Sequence, residues 1–142
     1  PLRTSGVSPS QLNRIYGQNG FNPIWFTQDG WLPAAQVLIR QFQSAKIDGL
    51  VPTDYLPADR GLPGGALDGI QISQIDLELT AGLLRYIRDV KEGRYNPAPR
   101  IDPASELTRG LQTADFSGWL NGLSPKTRFY SAMKQAAQSD LP

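Results

Sequence analysis

Apolar residues recur at helical spacing in several stretches of the chain, and turn-forming residues separate them. The first stretch opens at Ser8-Pro9, where a hydroxyl cap precedes a proline preset for a first helical turn. Leu12, Ile15 and Tyr16 then share a face, and Gly20 supplies a stop. Residues 21–26 are short and aromatic, and Asp29-Gly30 follows before Trp31, so this segment predicts an extended stub with a tight turn. A second helix is predicted over 33–47 from the stripe Ala35, Leu38, Phe42 and Ala45, ended by Asp48-Gly49. Residues 56–69 hold four Gly and two Pro and read as an irregular surface loop.

The longest helix is predicted over 73–92. Ile75, Leu79, Leu83, Tyr86, Ile87 and Val90 form its main apolar face, and Leu77 and Leu84 add a second one. A helix apolar on two sides is packed by several neighbours, which places it centrally. Arg85 with Asp89, and Arg88 with Glu92, have i,i+4 spacing and are expected to pair on the remaining face. After Asp102-Pro103 a shorter helix carries Leu107, Leu111 and Ala114, and Phe116, Trp119, Leu120 and Leu123 continue into another. Ser124-Pro125 repeats the opening cap signal ahead of Phe129, Tyr130, Met133, Ala136 and Ala137. The expectation is a mainly α fold: one domain over 1–142, with five to six helices around a central long one and almost no sheet.

Composition changes this picture in one respect. With 39% hydrophobic residues, 3 Trp, 5 Tyr and 5 Phe the chain can build a core, which excludes global disorder. Its 14 basic and 13 acidic side chains are interspersed, and no basic run could track a phosphate backbone, so nucleic acid is not an expected partner. No apolar stretch has the roughly 20 residues a membrane-spanning helix needs. The chain has neither His nor Cys. Zinc sites of imidazole and thiolate, Ser-His-Asp triads and Cys-His pairs are therefore ruled out within it. The lack of Cys fits either a reducing compartment or a disulfide-free periplasmic protein. The chain opens on Pro1-Leu2-Arg3 and its one methionine is Met133, so a preceding part, with any export signal, is expected.

Carboxylate, lysine and tyrosine chemistry remain. Ser131-Ala132-Met133-Lys134 has the Ser-x-x-Lys spacing that sets a lysine beside a nucleophilic serine. The supporting elements are missing, because Arg128 follows Lys126-Thr127 and Leu141 follows Ser139-Asp140. Asp29, Asp48, Asp54, Asp76, Glu78 and Asp102 are the carboxylates from which a hydrolytic pair would be drawn. Most sit in turn or capping positions, and Asp76 and Glu78, two apart on a helix, do not face each other. No catalytic residue, metal ligand or cofactor site is assigned. Candidate binding residues are Trp25 and Trp31, within an aromatic cluster with Phe21 and Phe26 that either stacks a sugar or seals the core. Arg85, Arg94 and Tyr95 are the others, as a clamp for a carboxylate or as internal salt-bridge partners.

Three ordered segments carry a resemblance. The first is Asn19-Gly20-Phe21-Asn22-Pro23-Ile24-Trp25-Phe26 with Asp29-Gly30. The second is Ala45-Lys46-Ile47-Asp48-Gly49-Leu50-Val51-Pro52-Thr53-Asp54-Tyr55. The third runs from Ile75-Asp76 through Leu79-Thr80-Ala81 and Leu84-Arg85-Tyr86 to Gly93-Arg94-Tyr95-Asn96-Pro97. Together with the tail over 123–137 they resemble the N-terminal scaffold domain of large periplasmic L,D-transpeptidases. The one departure is the Gly- and Pro-rich stretch 56–69.

That resemblance implies a parent enzyme that cross-links peptidoglycan stem peptides with a cysteine nucleophile assisted by a histidine. Neither residue type occurs here, so this chain is expected to be non-catalytic and no catalytic residue is carried over. The resemblance also implies a periplasmic or cell-envelope location. The expected partners are the parent's catalytic and peptidoglycan-binding domains, beyond Pro142, and peptidoglycan itself. The alternatives are a stand-alone peptidoglycan- or partner-binding module and a small hydrolase using carboxylates or the Ser131-Lys134 pair.

Overall fold

The computed structural model describes residues 6–57, 68–92 and 102–124. Helix α1 (Pro9–Gly17) begins at a capping box. Gln11 N–H donates to Ser8 Oγ at 3.1 Å, and Ser8 N–H donates to Gln11 Oε1 at 3.0 Å. The helix stops at Gly17, ahead of the expected Gly20. Gly20 and Phe21 then take positive φ angles of 64° and 62°, and Phe21 N–H returns to the Tyr16 carbonyl at 2.8 Å. The aromatic stub becomes a minimal hairpin, β1 (Phe26–Thr27) antiparallel to β2 (Gly30–Trp31), with Phe26 opposite Trp31.

Helix α2 (Pro33–Gln43) buries Ala35, Leu38, Ile39 and Phe42. It ends before the predicted boundary at 47, because Ser44 leaves α geometry and Ala45–Asp48 winds into a 3-10 turn. Phe42 and Ala45 are three apart, a spacing that both helix types bury, so periodicity does not separate them. Gly49 closes the turn at φ 78°. A second 3-10 turn, Pro52–Asp54, leads to buried Tyr55 and Leu56. Leu56 therefore belongs to the core, and of the predicted surface loop 56–69 the part 58–67 lies outside the described residues.

Helix α3 (Gly69–Glu92) starts a turn earlier than predicted. Asp68 and Gln71 exchange reciprocal bonds, Gln71 N–H to Asp68 Oδ1 at 2.8 Å and Asp68 N–H to Gln71 Oε1 at 3.1 Å. This second capping box sits inside a stretch whose glycines and prolines read as loop. From 78 to 87 every residue of α3 is buried, as its two apolar sides require of a central helix. Gly82 is the point of closest approach. A Cβ there would lie 2.2 Å from the Tyr55 carbonyl oxygen, so only glycine lets the strand of chain after Pro52–Asp54 seat against α3.

Helix α4 (Pro103–Gln112) is capped by Asp102, which accepts Ala104 N–H at 3.2 Å. The Ser105 hydroxyl and Arg14 hold the Asp102 carboxyl below the usual carboxylate range. Ala104 and Leu107 face the core, whereas Ala114 lies past the helix end and is exposed. Helix α5 (Phe116–Asn121) is capped by Asp115 and buries Leu120. Trp119 covers Gly110 of α4, whose Cβ would fall 2.5 Å from the indole. The last predicted helix, over 125–137, and the Ser131-Lys134 pair lie outside the described residues. Among the described residues the fold is mainly α, with five helices and one two-stranded sheet, and one apolar core runs from Ile15 to Leu123.

Candidate functional site

Among the described residues, many chemistry-bearing side chains fall into two internal networks along α3. The first network centres on Asp76, 1% exposed on α3. Its carboxylate accepts Trp25 N–H at 2.7 Å, Ile24 N–H at 3.0 Å and the Tyr16 hydroxyl at 2.5 Å. Thr80, one turn on, accepts the Trp25 indole N–H at 2.9 Å and lies 2.9 Å from the Tyr16 oxygen. Burial pushes the Asp76 carboxyl above its ordinary range, and the bonds from Tyr16, Trp25 and Ile24 oppose that shift in part. Burial and the adjacent carboxylate push the Tyr16 phenol up as well. With donors on both oxygens and almost no exposure, Asp76 ties α1, the segment before β1 and α3 together and is closed to an external substrate.

The second network lies further along α3. Tyr55 donates to Asp89 at 2.6 Å, and Arg88 bonds the other oxygen of Asp89 at 3.0 Å. The Arg85 guanidinium reaches the Asp54 carbonyl through Nε at 3.1 Å and Nη2 at 2.9 Å. Asp89 is thus held by Tyr55 and its neighbour Arg88, while Arg85 clamps backbone. Nearby, Gln41 donates to the Tyr86 hydroxyl at 2.9 Å, and Ser124 donates to Asp48 at 2.6 Å. Burial raises the Tyr86 phenol to about 12.

The sequence-predicted binding residues are not brought into one platform. Trp25 is 1% exposed, with its indole N–H on Thr80 and its ring edge against Phe116 at 5.5 Å between centroids. Trp31 is partly buried and stacks edge-on with Phe26 at 4.8 Å on the hairpin. Phe21 stands apart, 71% exposed. Arg85 is buried. Arg94 and Tyr95 lie outside the described residues, and so does the side chain of Glu92.

The candidate carboxylates are similarly dispersed. Asp29 and Asp54 are exposed in turns, Asp48 takes Ser124, Asp102 caps α4 and meets Arg14 at 2.9 Å, and Glu78 is buried with an interaction of its own. No group of acidic residues among the described ones is arranged to hold a metal ion.

Among the described residues, two surface grooves bear on the site. One, of about 250 Å³, lies between α1 and α3, lined by Leu12, Tyr16, Phe21 and Leu77 among others, with the nearly buried Asp76 also in its lining. The other, of about 370 Å³, is lined from α1, the start of α2, α4 and α5, with Ile24, Trp25, Leu111 and Phe116 among its apolar residues. Sequence reasoning gave Thr80 no role beyond its place in the resemblance and did not single out Gln112. Thr80 falls one turn from Asp76, a spacing that becomes meaningful only once Trp25 is known to reach it.

No curated protein and no solved structure matches the chain. A protein-family model described as Scaffold domain matches residues 10–136, from the first turn of α1 to near the end of the 142-residue sequence. The chain belongs to the Scaffold domain family.

Proposed function

We propose that this chain is the non-catalytic scaffold domain of an L,D-transpeptidase, acting in the periplasm as the body on which the parent's catalytic and peptidoglycan-binding domains dock. The observation that carries this reading is where the residues behind the resemblance go. Trp25, Asp48, Tyr55, Asp76, Thr80, Arg85 and Tyr86 all turn to internal partners. Residues in reactive clefts keep groups aimed at a substrate, whereas these hold helices and connecting segments in register. The chain also has no cysteine to attack a stem peptide and no histidine to activate one, so cross-linking chemistry must come from another domain.

The test is to read the parent gene onward from the codon for Pro142. A downstream domain with a serine-histidine-glycine-cysteine motif supports the scaffold reading. A stop codon shortly after Pro142 sinks it and leaves a stand-alone module. The Phe26–Trp31 edge pair on the partly exposed hairpin favours that second reading, a peptidoglycan- or partner-binding module. In it Trp31, Arg94 and Tyr95 are the contact residues, while Trp25 and Arg85 are buried. Co-sedimentation with purified sacculi that is lost in Trp31→Ala would establish it.

A further inference from the structure

The larger groove differs in charge from the smaller one, which has Asp76 in its lining. Charged residues are 19% of the sequence, yet none of the residues lining this groove carries a charge. Its apolar lining includes Ile24, Leu111 and Phe116, with the nearly buried Trp25 behind them. Its rim is a set of side-chain carboxamides with unused capacity. Gln18 accepts the Thr108 hydroxyl at 3.1 Å through Oε1, which leaves its amide N–H groups to solvent. Asn19 donates through Nδ2 to the carbonyls of Asn22 and Pro23, both at 3.1 Å, which leaves its own Oδ1 as an acceptor. Gln112, exposed at the end of α4, makes no side-chain hydrogen bond among the described residues, so its carboxamide keeps a donor and an acceptor open.

An ionised ligand would lose water here without gaining a counter-ion, which makes the groove unfavourable for phosphates, carboxylates and ammonium groups. A purely apolar ligand would strip water from the carboxamides and return no hydrogen bond. The complementary ligand is neutral, has an apolar face, and presents donors and acceptors around its edge. The groove's volume of about 370 Å³ lies within the range of small-molecule sites. Extended peptides are held by sheet edges, long helical grooves or aromatic ladders. The described sheet offers only two-residue strands, and the groove draws its lining from four helices and the segments between them.

We propose that the groove between α1, α4 and α5 is a binding site for an uncharged N-acetylated amino sugar. The acetamido methyl and the C–H face of the ring lie against Phe116 and Leu111, and Gln18, Asn19 and Gln112 bond the acetamide and ring hydroxyls. The site rests on the groove alone and stands whether or not the parent protein carries a transpeptidase domain.

The probe is the β-1,4-linked tetramer of N-acetylglucosamine, titrated into the chain with tryptophan fluorescence and amide chemical shifts as readouts. Saturable binding is expected, with the largest shifts at Gln18, Leu111, Gln112 and Phe116. Gln112→Ala, at an exposed position without a side-chain hydrogen bond, should keep the melting curve and weaken binding about fivefold to tenfold. Asn13→Ala, in the wall of the smaller groove, should bind as the parent chain does. The matching glucose tetramer, which lacks acetamides, should bind at least about tenfold more weakly. The proposal is overturned by no saturable response to the acetylated tetramer, by Gln112→Ala binding unchanged, or by equal affinity for both sugars. It is also overturned if a blocked, neutral alanine tetrapeptide occupies the groove and the sugar does not.

Discussion

At the residue scale, the fold hangs on a buried carboxylate. Asp76 joins chain positions that are 51 to 60 residues away in sequence, through two backbone N–H groups and one phenol. Asp76→Ala would strand those donors in the interior and should cost about 2–4 kcal/mol in denaturant melts. Asp76→Asn keeps an acceptor for the backbone and should cost less than the alanine change. The pH dependence has a definite sign. Burial raises the folded carboxyl above its unfolded value, so the folded state holds its proton more tightly. The Asp76 contribution is therefore fully present below the ordinary carboxylate range and is lost as pH rises through the raised folded value. Denaturant midpoints measured stepwise upward from about pH 4 should fall less in Asp76→Asn than in the parent chain. Equal slopes would mean that Asp76 does not titrate in the way its burial requires. None of this network was legible in the sequence. An aspartate two positions from Glu78 on a helix reads only as a carboxylate that does not face its neighbour, and no local pattern shows that Trp25 and Tyr16 return to it.

At the element scale, periodicity located the helices well and their ends poorly. The apolar stripes of α1, α2, α3 and α4 came from spacing alone, because one face of each meets the same core. The errors arose where capping or packing overrode composition. Asp68 and Gln71 extended α3 into a Gly-rich stretch, and the 3-10 turn after Ser44 shortened α2 while keeping Ala45 buried. Close approaches of elements were equally hidden, since a glycine in a helix shows only that something is near. Gly82→Ala drives a Cβ against the Tyr55 carbonyl oxygen, which is backbone and cannot rotate away. It should cost more than about 2 kcal/mol, read from the denaturation midpoint. Gly69→Ala, at the first residue of α3 with nothing within 4 Å of the new methyl, should be neutral or stabilising by up to about 1 kcal/mol. Ser8→Ala removes one half of the α1 capping box and should cost about 1 kcal/mol. If Gly82→Ala and Gly69→Ala melted alike, the packing of α3 against the segment at Tyr55 would be wrong.

At the scale of the whole molecule, the described motif residues with hydrogen-bonding side chains, Asp76, Thr80, Tyr86 and Arg85 among them, turn inward. The aromatic residues that suggested a binding platform divide between core and hairpin. Trp25 and Phe116 seal the interior beside the larger groove, and Trp31 stays with Phe26 at the surface. The mainly α class was readable because helical stripes dominate the chain. The internal destination of the motif residues was not, because order along the sequence says nothing about which side of a helix a partner approaches. The most direct test of the central claim compares two samples on the same tetrapeptide muropeptides, analysed by liquid chromatography and mass spectrometry. One is the full-length parent protein and the other is this chain alone. The scaffold account predicts cross-linked dimers from the parent and unchanged muropeptides from the chain. New products formed by the chain itself, or no cross-linking by the parent, would contradict it.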